Sequence, residues 1–201
     1  MYQFIKRLFD IIFSLLLFPI FFLCIVFIGL AIFIEDKGPI FYTSNRIGKN
    51  KKIFKMYKFR SMKVDSPVIR LQDGSTFNSQ NDSRLTKIGK FIRKTSLDEI
   101  PQLLNILKGD MSFVGPRPDS EMWKDNYTEE EKIIHTVRPG ITGYNQVVCR
   151  NSVGTKEKLQ NDIIYVKKAS LWFDIKIMFL TVKQVFSSRD VYRKENKKDQ
   201  N

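Results

Sequence analysis

The sequence has little of the residue types that build metal centres and disulfide frameworks. Its 201 residues include two cysteines, Cys24 and Cys149, and a single histidine, His135. These are too few for a zinc site of the usual Cys/His type, and Cys24 lies inside an apolar run, so the sequence does not indicate a disulfide framework. This cysteine usage is typical of a reducing compartment. We interpret His135 as an ordinary surface or packing residue.

Negative charge is also scarce, with 21 Asp and Glu against 34 Lys and Arg and a formal net charge of +13. Such an excess predicts an anionic partner, which could be nucleic acid, a phosphorylated small molecule or acidic lipid headgroups. The hydrophobic content of 43% argues against disorder. A chain of this length accommodates one ordinary domain and a short accessory segment.

One long apolar run, over 11–34, dominates the N-terminus. It has about the 20 residues that a bilayer-crossing helix needs. It is too long for the core of a signal peptide, and charged residues follow it at 35–37 in place of a cleavage site. Pro19 in its middle predicts a kink near Phe18, and Ser14 could bond to backbone groups that the break frees.

Positive charge flanks this run on both sides. Lys6 and Arg7 precede it, and six Lys and Arg residues follow it between 46 and 58. The positive-inside rule therefore places both flanks in the cytoplasm. A helix that enters, bends at Pro19 and leaves by the same face satisfies this rule. Kinked spanning helices are common too, so these residues leave the two topologies open.

The rest of the chain predicts a fold that is mostly α with a little β. An extended piece, a turn at 47–50 and a strand over 53–60 are expected first, followed by a loop over 64–84 with the turn signal Asp73-Gly74. Helices are expected over 85–94, 98–108, 121–137, 155–168 and 171–186, with stiff loops at 111–118 and 138–143 and a disordered tail from residue 189. The basic amphipathic helix over 85–94 could face either the core or a membrane surface. The helix over 171–186 is apolar, too short to span a bilayer and a candidate for an interface.

Two adjacent carboxylates, Asp98 and Glu99, are the most informative residues. Ser96 lies three residues before Glu99, which is the spacing of a capping box and predicts that the pair occupies the first turn of a helix. An ionised carboxylate in that position could also be a nucleophile. Adjacent carboxylates bind Mg²⁺ together with phosphates. The capping and the catalytic interpretations both remain open on these residues alone.

Basic residues in rigid or extended contexts indicate a phosphate site. Lys58 and Arg60 alternate along the predicted strand and could point to one face. Arg117 lies between two prolines, which lowers the entropic cost of presenting its guanidinium. Arg138 begins a loop that includes Gly140 and could turn backbone N–H groups toward an anion. Each alone is typical of a solvated surface charge, whereas their joint occurrence with paired acids favours a function.

Five motifs resemble those of the bacterial sugar transferases, the monotopic polyprenyl-phosphate phosphoglycosyl transferases. They are KFRSM at 58–62, DSRLTKIG at 82–89, TSLDEIPQ at 95–102, LKGDMSFVGPRP at 107–118 and RPGITG at 138–143. The likeness extends from Lys6 to about residue 186. The short form with a single apolar segment is similar to the Campylobacter-type enzymes that transfer diacetylbacillosamine phosphate.

The resemblance implies a reaction, which is the first membrane step of glycoconjugate assembly. A sugar-1-phosphate moves from a UDP-sugar to undecaprenyl phosphate with release of UMP, by a ping-pong mechanism that uses Mg²⁺. Asp98 is implied to be the nucleophile that forms a covalent phosphosugar intermediate, and Glu99 to assist through metal or proton handling. The implied location is the cytoplasmic face of the bacterial inner membrane, in contact with its lipids. No nucleic-acid partner is implied, and homo-oligomerisation stays open.

The resemblance also implies site residues and a domain organisation. We predict that Lys58, Arg60, Arg84, Arg117, Arg138, Gly140 and Asp162 bind substrate and that Asp98 and Glu99 are metal ligands. Of the substrate-binding residues, Lys58, Arg117 and Asp162 match positions that matter in the family. The family's apolar segment is re-entrant, so Ser14 and Pro19 are expected at its kink. We expect a re-entrant helix hairpin over 1–36, with interfacial amphipathic helices and a cytoplasmic catalytic domain over 37–188 that rests on the membrane. A charged tail over 189–201 completes the chain.

Two departures from the family pattern concern the kink and the sugar. Phe18 precedes Pro19 where the family often has Ser. After Gly143 the sequence has YNQV and then Cys149-Arg150, where many members have WAQV and then Gly-Arg. The sequence does not name the sugar. A non-enzymatic, membrane-anchored binder of nucleic acid or acidic lipid would explain the net charge, but it has no use for the acid pair beside a rigid Arg loop.

Overall fold

The computed structural model describes residues 1–69, 77, 79, 81–149 and 153–187. Its α-helices are α1 (Tyr2–Asp36), α2 (Lys87–Lys94), α3 (Leu103–Lys108), α4 (Tyr144–Val148), α5 (Thr155–Lys168) and α6 (Leu171–Ser187). Its strands are β1 (Phe41–Ile47), β2 (Ile53–Phe59), β3 (Ser112–Val114) and β4 (Gly140–Thr142), and 3₁₀ helices cover Lys49–Lys51, Leu97–Gln102, Glu121–Trp123 and Glu131–Thr136. The predicted class, mostly α with a little β, is confirmed. The predicted turn at Asp73-Gly74, Arg150 and the tail from residue 189 lie outside the described residues.

The helix α1 has 35 residues, which at a rise of 1.5 Å per residue makes it about 52 Å long. Its buried residues are Asp10, Ser14, Phe21, Gly29 and Ile32, a helical spacing that directs one face toward the rest of the protein. Only 11% of its most apolar window is buried, so most of its apolar surface has no protein cover. By length and composition it could cross a membrane.

The region around Pro19 differs in one respect from the prediction. The helix is continuous through Pro19, and the kink near Phe18 stays a prediction. Ser14 is fully buried, but its hydroxyl has no hydrogen-bond partner among the described residues. The predicted bond of Ser14 to freed backbone groups is therefore not seen among the described residues, and its place at the kink stays a prediction.

Both ends of α1 are bonded to the same body of the protein. Near its start, Arg7 donates to the carbonyls of Ile106 and Leu107 at 2.5 and 2.9 Å. At its other end, the Glu35 carboxylate accepts from the first two backbone N–H groups of α2 at 2.6 and 3.0 Å. Asp36 forms an ion pair with Arg60. The globular part thus contacts both ends of α1.

The strands β1 and β2 form an antiparallel hairpin, which confirms the strand predicted over 53–60. Its register runs from Phe41 opposite Phe59 to Ile47 opposite Ile53. Met56 packs in a cluster with Phe21 of α1, and Phe59 packs in a second cluster with Ile32. The hairpin therefore sits between α1 and the rest of the core.

The segments predicted as stiff loops at 111–118 and 138–143 contain a short parallel strand pair, β3 with β4. Each strand has three residues, too few for an alternating pattern to indicate it. The loops that follow are joined closely: Gly115 N donates to Thr142 O at 2.9 Å, and Gly140 N donates to Pro116 O at 2.9 Å. A Cβ at Gly140 would lie 2.1 Å from Gly115 N, so this close approach requires glycine.

The helix predicted over 121–137 is wrong, since only two short 3₁₀ helices occur there. Between them, Tyr127 enters the core with 6% exposure and donates its hydroxyl to Asp119 at 3.0 Å. Thr128 and Glu131 then cap each other's backbone N–H groups and restart the helical turn. The helices predicted over 85–94, 155–168 and 171–186 are confirmed as α2, α5 and α6.

Candidate active site

The acid pair lies on a 3₁₀ helix, Leu97–Gln102, that leads into α3. The sequence predicted one α-helix from 98 to 108; its end at Gly109, which has a positive φ of 90°, is confirmed. Ser96 occupies the N-cap in the left-handed region, and its side chain makes no capping hydrogen bond. The predicted capping box is wrong, because the Glu99 carboxylate is directed at cations from other parts of the chain.

Glu99 is held between two cations. Its Oε1 accepts from Lys58 Nζ at 2.7 Å and from Arg117 at 2.8 Å. Lys58 Nζ also lies 3.7 Å from Asp98 Oδ2, so this ammonium contacts both acids. The strand β2 supplies Lys58 and the loop after β3 supplies Arg117, which assembles the site from three separate motifs.

The two carboxyl groups differ in acidity. Burial opposes ionisation of Glu99, but the attraction of Arg117 and Lys58 outweighs it and holds the pKa of Glu99 well below its ordinary value. Burial raises the pKa of Asp98, against the attraction of Lys58 and with the added repulsion of Glu99. Glu99 is therefore a fixed anion, whereas Asp98 is the more basic oxygen donor of the pair.

The exposed fractions of the side chains show how accessible Arg117 and Asp98 are to a ligand. The Arg117 side chain is 41% exposed and that of Asp98 is 11% exposed. An anion bound between them would contact a guanidinium on one side and a carboxylate on the other. Such an arrangement suits a phosphate whose phosphorus is approached by the carboxylate.

The acid pair fits Mg²⁺ only in company with a substrate. Among the described residues, no group of three or more His, Cys, Asp or Glu side chains could hold a metal ion. Mg²⁺ is usually bound through one or two carboxylates plus substrate phosphates. Asp98 and Glu99 could supply those carboxylates, and Glu99 Oε1 already has two cationic partners.

Two of the predicted substrate-binding arginines are occupied by protein groups. Arg60 is buried, pairs with Asp36 and donates to Pro39 O at 2.5 Å and to Met62 O at 3.0 Å. Arg84 is buried and pairs with Asp82 at 2.6 Å. Both guanidiniums therefore bond to groups of the protein itself and stabilise the fold near the site.

In the loop at 138–143, which was predicted to bind an anion, two hydrogen-bond donors are bonded to backbone carbonyls of the protein. Arg138 Nε donates to Gly109 O at 2.8 Å, and the N–H of Gly140 is donated to Pro116 O. This loop therefore supports the loop that carries Arg117.

Asp162, also predicted to bind substrate, is fully buried in α5. Its closest cation is Lys158, whose Nζ lies 3.7 Å from Oδ2 and 2.5 Å from Asp119 Oδ1. Burial raises the pKa of Asp162 to about 7, with Lys158 opposing. Sequence reasoning missed Lys158 and Asp119; the available signals were the i,i+4 spacing of Lys158 and Asp162 and the place of Asp119 two residues after Arg117.

Comparisons with known proteins agree on one family. The profile of the bacterial sugar transferase family matches residues 1–188. The UDP-N-acetylgalactosamine-undecaprenyl-phosphate N-acetylgalactosaminephosphotransferase of Aeromonas hydrophila is 39% identical over 192 residues, which are 92% of this chain and 44% of that protein. The UDP-glucose:undecaprenyl-phosphate glucose-1-phosphate transferase of Escherichia coli K12 is 39% identical over 198 residues, 94% of this chain and 41% of that protein.

A shorter relative is the sugar transferase EpsL of Bacillus subtilis 168, which is uncharacterized. It is 38% identical over 187 residues, which are 93% of this chain and 90% of that protein. The chain spans less than half the length of the other two relatives.

Proposed function

The chain belongs to the bacterial sugar transferase family, and on this premise we propose that it transfers a sugar-1-phosphate from a UDP-sugar to undecaprenyl phosphate, releasing UMP. The observation that carries the proposal is the contact of Lys58 and Arg117 with Glu99 directly beside Asp98. The names of two relatives describe this class of transfer, with N-acetylgalactosamine phosphate in one and glucose-1-phosphate in the other. Since those sugars differ, the family leaves the sugar of this chain undetermined.

The first step we propose is attack by Asp98 on the phosphorus that bears the sugar. A carboxylate oxygen of Asp98 forms a bond to that phosphorus, and the bond to the bridging oxygen of the diphosphate breaks. UMP leaves with the electron pair, and the enzyme carries a phosphosugar on Asp98. The raised pKa of Asp98 supports this assignment, because the more basic of two carboxylates is the better nucleophile once ionised.

The second step we propose regenerates the enzyme in a ping-pong sequence. A phosphate oxygen of undecaprenyl phosphate attacks the same phosphorus, and the bond to Asp98 breaks. The products are the undecaprenyl diphosphate sugar and the free Asp98 carboxylate. Glu99 stays ionised throughout, holding Lys58 and Arg117 where their positive charge offsets the phosphates.

Mg²⁺ held by Asp98 and Glu99 together with the donor diphosphate would neutralise charge on the leaving UMP. The lysine and arginine contribute the remaining positive charge without a metal. They lie on β2 and in the loop after β3, where both contact Glu99.

We also propose that α1 is re-entrant and that the protein is monotopic on the cytoplasmic face of the bacterial inner membrane. The support is that Arg7 at one end of α1 and Glu35 and Asp36 at the other bond to the same globular body. A body in contact with both ends of a helix cannot lie on opposite sides of a bilayer.

The proposed membrane face also includes α6. Asp174 and Ile177 are buried on its inner side, whereas Trp172 is 78% exposed and Phe179 is 74% exposed. An apolar face of this kind on a helix of 17 residues suits burial in the interfacial layer of a lipid surface.

Single cysteines test this topology. We expect Gln3→Cys and Lys37→Cys, each in a variant without Cys24 and Cys149, to react with a membrane-impermeant maleimide from the same side of the membrane. That side should also be the one from which a Lys156→Cys reporter on α5 reacts. Labelling in sealed spheroplasts and in inverted vesicles measures this. Reaction of Gln3→Cys and Lys37→Cys from opposite sides would restore the spanning helix.

UMP release tests the proposed reaction. The purified protein, given Mg²⁺, undecaprenyl phosphate and each of a broad panel of UDP-sugars, should release UMP from at least one donor, and a chelator should stop the release. If no donor yields UMP while the protein binds nucleic acid with a steep salt dependence, the non-enzymatic alternative replaces this proposal.

A further inference from the structure

A second group of charges, Asp119, Lys158 and Asp162, interacts electrostatically with Arg117. Lys158 Nζ lies between two carboxylates, 2.5 Å from Asp119 Oδ1 and 3.7 Å from Asp162 Oδ2. The Lys158 side chain is only 15% exposed, and that of Asp162 is fully buried. The proposed transfer steps use none of these three residues.

Asp119 is tied to the loop that presents Arg117. Only Pro118 separates the two residues, and the proline ring restricts the backbone between them. The Asp119 carbonyl accepts from Ile47 N at 3.0 Å, and its Oδ2 accepts from the Tyr127 hydroxyl at 3.0 Å. Lys158 contacts the remaining carboxylate oxygen, Oδ1. These three contacts fix Asp119 and thereby restrict the backbone of the loop that carries Arg117.

Asp162 lacks the partners that a buried carboxylate needs. Neither of its oxygens has a hydrogen-bond partner among the described residues, although both are shielded from solvent. An uncompensated buried charge is costly, and Lys158 is the compensating cation that lies nearest. The raised pKa of Asp162 has the same cause.

Arg117 interacts electrostatically with the acid pair and with Asp119. Its pKa is raised mainly by Glu99, and Asp98 and Asp119 add to the effect. Arg117 in turn helps to stabilise ionised Asp162. If Lys158 were absent, Asp162 would take up a proton, because Lys158 is the main group that lowers its pKa. Asp119 would then be an unneutralised anion that competes with Glu99 for the same guanidinium.

We propose that Lys158, paired with Asp119, is a positioning residue of the transfer reaction: it neutralises Asp119 and so keeps the Arg117 guanidinium on Glu99. This inference rests on the proposed function for its catalytic consequence, although the contact of Arg117 with Glu99 can be measured without activity. On this proposal Asp162 influences the site through its contact with Lys158 and does not itself contact the substrate.

Lys158→Met is the variant that tests this proposal, with Lys156→Met, an exposed lysine on the same helix, as the matched control. We expect Lys158→Met to lower kcat for UMP release about 100-fold, the scale at which a misplaced group costs rate. Lys156→Met should match the wild type. Lys158→Arg should recover most of the rate, because a guanidinium supplies the same charge. Adding Asp119→Asn to Lys158→Met should also recover most of it, because it removes the competing anion.

Two measurements separate positioning from a merely structural role. In an Arg117→Ala background, Lys158→Met should lower kcat no further, whereas an equal loss with and without Arg117 would overturn the proposal. The coupling between Arg117→Ala and Glu99→Gln in apparent melting temperature should shrink toward zero once Lys158→Met is present. Undiminished coupling would overturn the proposal, and this result does not require a known donor. Failure of the proposed transfer reaction is distinguishable, because the wild-type protein would then release UMP from no UDP-sugar.

Discussion

Asp98→Asn is expected to lower the rate of sugar-phosphate transfer by at least about 10³-fold, because the loss of a nucleophile removes the covalent route and leaves only binding. An amide oxygen of the same size keeps the packing but has little nucleophilicity. The measurement is UMP release under steady-state conditions with the best UDP-sugar. Asp125→Asn, at an exposed aspartate, is the matched control and should match the wild type.

The same variant should not lose stability. Because burial raises the pKa of Asp98, its contribution to stability is greatest below the unfolded pKa and is lost as pH rises through the folded value. The ionised group therefore costs stability, and at pH values at which Asp98 is ionised Asp98→Asn should have an apparent melting temperature equal to or above that of the wild type. An Asp98→Asn protein that is folded and keeps more than about a tenth of the wild-type rate would mean that the nucleophile lies elsewhere.

Lys58→Met is expected to have the second largest effect. Removing one preorganised cation from a transfer site costs about 10²–10³ in rate. The loss should be accompanied by a shift of the acidic limb of the pH–rate profile to higher pH, because Lys58 lowers the pKa of both Asp98 and Glu99. Breaking a buried pair also destabilises by about 3–5 kcal/mol, so the apparent melting temperature should fall.

Lys55→Met provides the control for that experiment, since Lys55 lies on the same strand with an exposed side chain. It should change neither the rate nor the pH profile. If Lys58→Met lowered the melting temperature but left the rate and the acidic limb unchanged, the Lys58 ion pairs would be structural only.

Much of the architecture could be predicted from local patterns. The strand over 53–60 alternates aromatic and basic residues, and the helices over 155–168 and 171–186 carry apolar residues at helical spacing, so each pattern matched its element. The acid pair could be found because two adjacent carboxylates are unusual in a basic chain.

Other features depend on contacts that are distant in sequence. The pairing of β3 with β4 rests on hydrogen bonds between segments about 28 residues apart, and three-residue strands leave no periodic signal. The helix predicted over 121–137 fails because Tyr127 is drawn into the core to reach Asp119.

The partners of the basic residues were equally hidden from sequence reasoning. By residue type, Arg60 and Arg84 are as suited to binding phosphate as Lys58 and Arg117. In the structure, however, they form ion pairs with Asp36 and Asp82. Only the three-dimensional arrangement separates the cations that contact the acid pair from those that fasten the fold.

The covalent intermediate on Asp98 is the central claim, and mass spectrometry of the intact protein and of its peptides tests it most directly. The wild-type protein is incubated with Mg²⁺ and its UDP-sugar donor in the absence of undecaprenyl phosphate. We predict a mass increase of one sugar phosphate on the peptide that contains Asp98, one equivalent of UMP, and loss of the adduct when undecaprenyl phosphate is added. Release of UMP only when both substrates are present, with no adduct at any time, would contradict the account.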